Sequence, residues 1–200
     1  MNFEHLLSQR RSIYELNSQI PISLNHLQSL LSVALKYCPS AFNSQPERVV
    51  LLTGYAHKKL WQITSDKLKQ ITDSEQFSKT QNKLNSFSAG FGSILFFTDT
   101  DITKELQARF PPYSKHFPTW AEQSQGMLQF IIWTLLAEHH IGASLQHYNP
   151  LISESIHQEF ALPSNWKLTA QMPFGGITAF PEAKSFLPIE NKLKIFGNIK

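Results

Sequence analysis

The sequence predicts an α+β fold in which a small sheet is flanked by helices. Two short runs, RVVLLT at 48–53 and SILFFT at 93–98, are apolar without polar alternation, as expected of buried strands. A third run, KLTAQMPFG at 167–175, alternates at first and ends in a glycine-rich turn, and it predicts another strand. Residues 57–88 are polar and predict one or two helices between the first two strands. The three strands and these helices define the fold class.

The clearest helix follows Ser23, a residue type that is favoured at the N-cap position. Beyond it, leucine and alanine recur at three- and four-residue intervals until Cys38, which predicts an amphipathic helix. A second helix, predicted over residues 120–140, is apolar around most of its circumference. Such a helix must be covered on all sides, either inside one protomer or by a second subunit. In a chain of 200 residues, a second subunit is the natural source of that cover, and the apolar C-terminal stretch 186–200 can pack on it as well.

Length and composition fit one domain spanning residues 1–200, with 42% apolar residues available for a core. Cys38 is the one cysteine, and the polar N-terminus lacks the long apolar region of a signal peptide, so we expect a reducing cytoplasm. The longest apolar run, 130–137, is far shorter than the roughly 20 residues that span a membrane. The formal charge of +3 comes with scattered lysines and no nucleic-acid-binding motif, so neither nucleic acid nor a membrane is an expected partner.

Two short segments carry the strongest chemical signal. RRSIY at 10–14 places two guanidiniums and a hydroxyl at the end of a predicted short helix, where they can hold a phosphate. In PSAFNSQP at 39–46, Ser40, Asn43 and Gln45 offer hydroxyl and amide groups that can bind the edge of a flat heterocycle. Taken singly, an arginine pair also solvates a helix end, and such a polar cluster also forms an ordinary turn. Together, the two segments indicate a phosphorylated, planar cofactor.

Other chemistries find little support. The sequence has no GxSxG elbow, and Cys38 is interpreted as a small residue at a helix end. EHH at 138–140 lacks the HExxH spacing of a zinc site, because adjacent histidines project in different directions from a helix. GFG at 90–92 leads into a strand, whereas a dinucleotide-binding loop leaves one, so it predicts a turn.

Four motifs in a fixed order carry a family resemblance: RRS at 10–12, PSAFNSQP at 39–46, LQHYNPLI at 145–152, and QMPFGG at 171–176 with KSFLP at 184–188. With them the chain resembles the nitroreductase superfamily of FMN-dependent oxidoreductases, and most closely its fungal fatty-acid-response branch and bacterial relatives. The resemblance implies one FMN-binding domain over 1–200 with a mixed, mainly antiparallel sheet flanked by helices. It also implies an intertwined homodimer with the long apolar helix at its centre.

The resemblance assigns the phosphate end of FMN to the N-terminal motif. It implies that Arg10 and Ser12 contact the phosphate and ribityl groups, while Arg11 contributes mainly through its backbone. Lys184 matches a lysine that reaches the same phosphate from the end of the chain.

The ring end of the flavin is assigned to two loops. Pro39, Ser40 and Asn43 match positions that approach the flavin bound chiefly by the other subunit. The other loop is expected beside the isoalloxazine, where a backbone N–H points at N5, and it consists of His147, Tyr148 and Asn149.

Two positions depart from the family pattern. Tyr14 replaces a basic side chain that is often near flavin N1, and Phe186 replaces an arginine near the phosphate. A positive group near N1 stabilises anionic reduced flavin, so another donor is needed or the potential differs. Lys83 is a candidate substitute, while Tyr14 can hydrogen-bond the ring or pack beneath it.

The implied activity is ping-pong electron transfer from NADH or NADPH through FMN to a nitroaromatic or quinone acceptor. Because the cofactor carries the chemistry, no catalytic acid or base is expected among the side chains. Two alternatives remain open: a flavin- or lipid-responsive regulatory protein with little turnover, and a flavin-dependent dehydrogenase acting on a metabolite.

Overall fold

The computed structural model describes residues 2–197, which form seven α-helices and five strands. In chain order these are α1 (Phe3–Gln9), β1 (Leu16–Asn17), α2 (Leu24–Tyr37), β2 (Glu47–Thr53), α3 (Gly54–Lys69), α4 (Ser74–Ser88), β3 (Gly92–Asp99), α5 (Thr100–Arg109), α6 (Phe117–Glu138), β4 (Ile141–Ala143), α7 (Ser153–Glu159) and β5 (Trp166–Ile177). Short 3₁₀ turns lie at Ala41–Asn43, Pro111–Tyr113 and Ile189–Asn191.

The strands form one sheet in the order β1-β5-β3-β2, and β4 pairs with β5 outside this path. Each paired strand in the described residues runs antiparallel to its neighbour. A parallel bridge joins Ser12 to Ala143. The prediction of a mixed, mainly antiparallel sheet flanked by helices is therefore confirmed, and the three predicted strands correspond to β2, β3 and β5.

Strand β3 lacks polar alternation because helices cover both of its faces. Ile94 and Phe96 pack into a core with α2 and α6. Leu95 and Phe97 point the other way, into a second core built with α3, α4 and α7. All eight residues of β3 are buried.

The two helices predicted with the clearest signals are both present, and α2 begins at its predicted capping residue. The side chain of Ser23 accepts a hydrogen bond from the backbone N–H of His26 (3.2 Å), and α2 ends at Tyr37, as predicted. Helix α6 starts three residues before the predicted position, because Pro118 suits the first turn of a helix. Of the described helices, none combines the length and the apolar character that crossing a membrane would require.

Helix α6 is only partly covered within one protomer. Leu128, Ile132 and Leu136 are buried against the sheet and α2. Met127 and Phe130, on another side of the helix, are each 39% exposed. The apolar circumference predicted for this helix therefore leaves large side chains uncovered on the protomer surface.

The chain beyond β5 has little regular structure and exposes many apolar side chains. The exposed side chains are Phe180, Phe186, Leu187, Ile189, Leu193, Ile195 and Phe196. The last part of the predicted C-terminal stretch, 198–200, lies outside the described residues. This tail adds little to the core of its own protomer.

Candidate functional site

Arg10 and Arg11 follow α1 directly and hold unpaired donor groups. The guanidinium of Arg10 lies 4.3 Å from the centre of the Trp133 ring on α6. Arg10 Nη1 and Arg11 Nε are buried, and neither has a hydrogen-bond partner among residues 2–197. Burial, together with the charge of Arg11, lowers the pKa of Arg10. Two buried guanidinium donors without an acceptor are suited to bind an anion.

Ser12 is fixed beside the arginine pair by the edge of the sheet. It forms a bridge with Ala143 of β4, and the N–H of Ile13 donates to the Ala143 carbonyl (2.9 Å). The same carbonyl accepts a hydrogen bond from Trp133 Nε1 (3.1 Å). The backbone of β4 therefore holds the motif and the tryptophan in one place.

The C-terminal segment reaches this site as well. Arg11 Nη2 donates to the backbone carbonyl of Glu182 (2.5 Å). Lys184 follows two residues later and is exposed. A cleft of about 110 Å³ lies between the segment and α6, and Arg11, Trp133 and Phe180 are among its lining residues. The structure thus brings the chain around Lys184 to the arginine pair.

Tyr14, which departs from the family pattern near the flavin ring, and Lys83, the predicted substitute for the missing cation, lie together. Lys83 Nζ is 5.5 Å from the centre of the Tyr14 ring and 5.6 Å from that of Phe87. Tyr148 lies in the same surroundings, since Tyr14, together with burial, raises its pKa to about 12. Its ring also lies 6.1 Å from that of Trp61. Aromatic rings and one cation therefore share this end of the site.

The loop at 147–149 is held by Gln171 of β5. The N–H of Tyr148 donates to Gln171 Oε1 (2.8 Å), and Gln171 Nε2 donates to Asn149 Oδ1 (3.2 Å). The backbone N–H of Asn149 has no acceptor within residues 2–197. Asn149 and the exposed His147 line a cavity of about 360 Å³ together with residues of α6 and β5.

A β-bulge shapes the wall of this cavity. The register of β3 against β5 shifts between Phe96 and Phe97, so that Thr169 has no partner residue opposite it. Gln125 of α6 donates a hydrogen bond through Nε2 to the Phe97 carbonyl, which the bulge leaves accessible. Thr169 and Gln125 both line the cavity. Bulges often re-aim side chains next to functional sites.

The 39–46 loop has a tight internal structure. The N–H of Gln45 donates to Ser40 Oγ (2.9 Å), and Gln45 Nε2 donates to the Asn43 carbonyl (3.3 Å). Phe42, Asn43 and Gln45 have positive φ angles of 57°, 51° and 51°. Positive φ is uncommon for a side chain as large as that of Phe42, whose ring is exposed and packs on Phe110 at 4.8 Å.

The predicted residues fall into two groups along α6. Ser124 Oγ donates to the Pro39 carbonyl (3.0 Å), which places the 39–46 loop beside the first half of the helix. Arg10 contacts Trp133, nine residues further along, which is about 13 Å of helix axis. Within one protomer, Pro39, Ser40, Asn43 and Gln45 therefore lie apart from the arginine pair.

Cys38 does not add a nucleophile. Its side chain is buried at the end of α2, and its Sγ lies 3.6 Å from the Ser124 carbonyl. Burial, aided by the charge of Glu47, raises the pKa of the thiol to about 11. A thiol at neutral pH in a buried position is unreactive, which agrees with the interpretation of Cys38 as a small helix-end residue.

Sequence reasoning missed several residues that build the site. Trp133, Gln125 and Gln171 were not singled out, although each holds a predicted segment or lines its cavity. One signal was present: Gln125 and Gln129 flank the apolar centre of the predicted helix, and amides that become buried there need hydrogen-bond partners.

Known sequences and structures are similar to this chain over nearly its whole length. Residues 7–176 match the family model described as the nitroreductase family. HBN1 of Saccharomyces cerevisiae, named as a nitroreductase, is 35% identical over 96% of this chain and 95% of its own length. Nitroreductase CinD from Lactococcus lactis, solved in complex with chloramphenicol, is 38% identical and has a TM-score of 0.90 over 98% of this chain and 100% of CinD. CinD has also been solved in complex with 4-nitrophenol.

The fold extends to distant structures. A nitroreductase with bound FMN from Desulfitobacterium hafniense is 15% identical, with a TM-score of 0.72 over 98% of this chain and 100% of that one. At such low identity the likeness concerns the fold alone. The match of the family model and the identity to HBN1 and CinD, each over nearly the whole chain, settle the family. This chain belongs to the nitroreductase family.

Proposed function

We propose that this protein is an FMN-dependent NAD(P)H oxidoreductase that reduces nitroaromatic compounds or quinones and works as a homodimer. The observation that carries the proposal is the pair of buried donors, Arg10 Nη1 and Arg11 Nε, which have no acceptor among residues 2–197. A phosphate beside Ser12 would satisfy both through charge-assisted hydrogen bonds. Lys184, on the segment that Arg11 holds, would add a third positive charge.

The ring end of FMN fits the opposite side of the same region. Tyr14 and Tyr148 would provide aromatic surface backed by the buried Phe87, and Lys83 would provide a cation. The free N–H of Asn149 would donate to flavin N5, because the neighbouring N–H of Tyr148 is already bound by Gln171. Gln171 thus orients the loop while leaving one donor available.

When bound, FMN would supply the chemistry by taking a hydride from NADH or NADPH and passing electrons to the acceptor in a ping-pong cycle. The side chains around it bind and orient. Lys83 would favour the anionic form of the reduced ring through its charge. Protons for the product would come from solvent, which would reach the cavity at the exposed His147.

The homodimer explains two features of the protomer. Met127 and Phe130 on α6, and the apolar side chains of the C-terminal tail, are exposed in one chain. A second subunit would bury them and so remove apolar surface from water. It would also bring its own Ser40 and Asn43 to the flavin, since in one protomer these residues lie far from Arg10 along α6.

The proposed acceptors rest on the relatives. CinD binds chloramphenicol and 4-nitrophenol in solved structures, and both ligands contain a nitroaromatic ring. In this chain, the exposed ring of Phe42, presented beside Ser40 and Asn43, would offer a planar acceptor an apolar contact.

The test is the visible spectrum of the purified protein, followed by steady-state oxidation of NADH and of NADPH with 4-nitrophenol, chloramphenicol or a quinone. We expect bound oxidised flavin that is released as FMN on denaturation, and NAD(P)H oxidation that depends on the acceptor. Protein that neither contains flavin nor binds added FMN would refute the proposal. Bound FMN without turnover would instead favour the regulatory alternative.

A further inference from the structure

We propose that Trp133 is a positioning residue that holds the Arg10 guanidinium for a phosphate group and thereby makes the site prefer FMN to riboflavin. The inference rests on the proposed function, in which Arg10 and Arg11 bind the phosphate of FMN. Trp133 would not hydrogen-bond the phosphate itself. Its ring face would support the guanidinium while the N–H groups at the edge of the guanidinium stay free.

Trp133 is anchored both by its own helix and by the sheet. Its neighbours on α6, Ile132 and Leu136, belong to the core and are each 1% exposed, which fixes the rotation of the helix about its axis. The indole Nε1 donates to the Ala143 carbonyl (3.1 Å). Ala143 is paired with Phe174 of β5 and is 1% exposed as well. The tryptophan ring is therefore mounted on two rigid elements.

The Ala143 carbonyl connects this ring to the segment that carries the arginines. The N–H of Ile13 donates to the same oxygen (2.9 Å), and Ser12 forms a bridge with Ala143. A carbonyl oxygen has two lone pairs, so it can accept from Ile13 and from Trp133 together. One backbone group thus fixes the ring relative to the chain two residues after Arg10.

The guanidinium of Arg10 needs such a support. The backbone N–H of Arg10 donates to the Leu6 carbonyl (3.0 Å) at the end of α1, but this bond leaves the long side chain free to rotate. The guanidinium lies 4.3 Å from the centre of the Trp133 ring, within the range over which arginine and tryptophan attract each other. The ring would therefore order the side chain before a ligand binds, which reduces the entropy lost on binding.

An aromatic ring holds an arginine without using its charge. A carboxylate would also order the side chain, but it would neutralise the positive charge and occupy the N–H donors. Among the ion pairs within residues 2–197, none includes Arg10 or Arg11. Arg11 is instead held through Nη2 by the uncharged backbone carbonyl of Glu182. Both arginines therefore keep their charge for an external anion, and the buried Arg10 Nη1 keeps its donors.

Arg48 shows the opposite arrangement in the same chain. Its guanidinium lies 6.0 Å from the centre of the Trp166 ring, but it is also paired with Asp99 (2.9 Å). It donates further hydrogen bonds to the carbonyls of Gln45 and Glu47. Its charge and donors are thus used inside the protomer. Trp166, a tryptophan beside an arginine that already has a carboxylate partner, provides a matched control.

The experiment compares the Kd values of FMN and riboflavin, which differ in the phosphate alone. Flavin fluorescence titrations are made with wild type, Trp133→Leu, Trp133→Phe and Trp166→Leu. Trp133→Leu should lower the preference for FMN over riboflavin by roughly 2- to 30-fold, the range of a cation–π contact, while the Kd of riboflavin stays nearly unchanged. Trp133→Phe keeps a ring face and should lose less of the preference. Trp166→Leu should keep the wild-type preference.

The ratio of the two Kd values separates positioning from a merely structural role, because loss of structure would weaken the binding of both flavins. An unchanged preference in Trp133→Leu would overturn the inference. Equal weakening of FMN and riboflavin in that variant would also overturn it, as would an equal loss of preference in Trp166→Leu. Wild type that binds the two flavins equally would contradict the inference and leave flavin-dependent reduction standing.

A second measurement does not depend on flavin. Tryptophan fluorescence is followed while inorganic phosphate is added at constant ionic strength. Wild type and Trp166→Leu should show a change in emission that is absent from Trp133→Phe, because the bound anion alters the charge beside the Trp133 ring. No response to phosphate in wild type would overturn the inference. A phosphate response in wild type that binds neither flavin would refute the proposed function alone.

Discussion

Lys83 of α4 lies over the ring of Tyr14, with 5.5 Å between Nζ and the ring centre. The family resemblance predicts a basic side chain at the position of Tyr14, and in the structure a cation from α4 lies beside this residue instead. Phe87, one turn after Lys83, contacts the Tyr14 ring at 6.1 Å between centres. The packing of α4 on the N-terminal segment therefore supplies the charge that the local sequence lacks.

Replacing Lys83 with glutamine should lower the reduction potential of bound FMN. If Lys83 stabilises the anionic reduced ring by about 1–2 kcal/mol, the two-electron potential falls by roughly 20–40 mV. The measurement is a spectroelectrochemical titration of the flavin. Lys79→Gln, one turn earlier on the same face of α4 and therefore farther from Tyr14, is the control and should change the potential less. Equal potentials in wild type and Lys83→Gln would show that the charge acts elsewhere.

The Arg10→Ala variant should bind FMN more weakly. A charge-assisted hydrogen bond to phosphate contributes about 1.5–3 kcal/mol, which corresponds to a roughly 10- to 150-fold higher Kd. Flavin fluorescence titration measures this directly. Arg109, which lies over Phe110 at the end of α5, provides a matched arginine control. An unchanged Kd in Arg10→Ala would place the phosphate at another position.

Much of the fold could be predicted because its signals are local. The Ser23 cap and the apolar run of β3 depend on neighbouring residues in the chain, and both predictions are confirmed. The contacts of Arg10 with Trp133 and of Gln125 with Phe97 could not be predicted in this way. They depend on how α6 crosses the sheet and on a bulge that no spacing rule indicates. Long-range packing, rather than local propensity, assembles the site.

Acid should destabilise the protein through His57. This residue is buried, its Nδ1 lies 2.9 Å from Ser93 Oγ, and Trp61 Nε1 donates to the same hydroxyl (3.0 Å). Because Ser93 Oγ accepts from Trp61, its own hydrogen is donated to His57 Nδ1. The neutral imidazole then carries its proton on Nε2. This atom faces the Phe87 and Ser88 carbonyls but does not reach hydrogen-bond geometry with either.

Burial lowers the pKa of His57 from 6.5 to about 4. The unfolded chain therefore binds a proton before the folded one does, so the stabilisation is complete above pH 6.5 and is lost as the pH falls towards 4. The loss amounts to about 3 kcal/mol. Urea unfolding across this range should show a smaller decrease for His57→Gln than for wild type. The exposed His5, changed to glutamine, should leave the wild-type pH dependence intact.

The Phe130→Glu variant should dissociate the proposed dimer while the protomer stays folded. Phe130 is 39% exposed in one protomer and lies beside Ile131 and Leu135 in an apolar cleft of about 240 Å³. A carboxylate at this position can still reach water in the monomer, so it lowers the stability of the protomer little. Its burial at an interface would cost about 1–3 kcal/mol or more of association free energy. Light scattering should show a twofold lower mass, with FMN lost in parallel. Tyr55→Glu, an exposed aromatic on α3, is the control. A wild-type mass of one protomer with FMN bound would contradict the dimer.

The last prediction concerns the donor to flavin N5. The N–H of Tyr148 is occupied by Gln171, whereas that of Asn149 has no acceptor within residues 2–197. If Asn149 provides this main-chain donor, Asn149→Ala keeps it and loses only the side-chain contact with Gln171 Nε2 (3.2 Å). Asn149→Pro removes the N–H itself. Stopped-flow measurement of flavin reduction by NAD(P)H should therefore show a much larger decrease in the proline variant.

The comparison of the two variants needs a control for folding and flavin content, and a separate kinetic experiment tests whether both substrates use one face of the flavin. Circular dichroism and flavin content must match between the variants, so that a difference in rate reflects the donor and not the fold. If the two substrates use one face of the flavin in turn, as proposed, double-reciprocal plots for NAD(P)H at several acceptor concentrations should be parallel. Intersecting lines would reject the shared face. Equal reduction rates in the two variants, with folding and flavin content intact, would show that another group contacts N5.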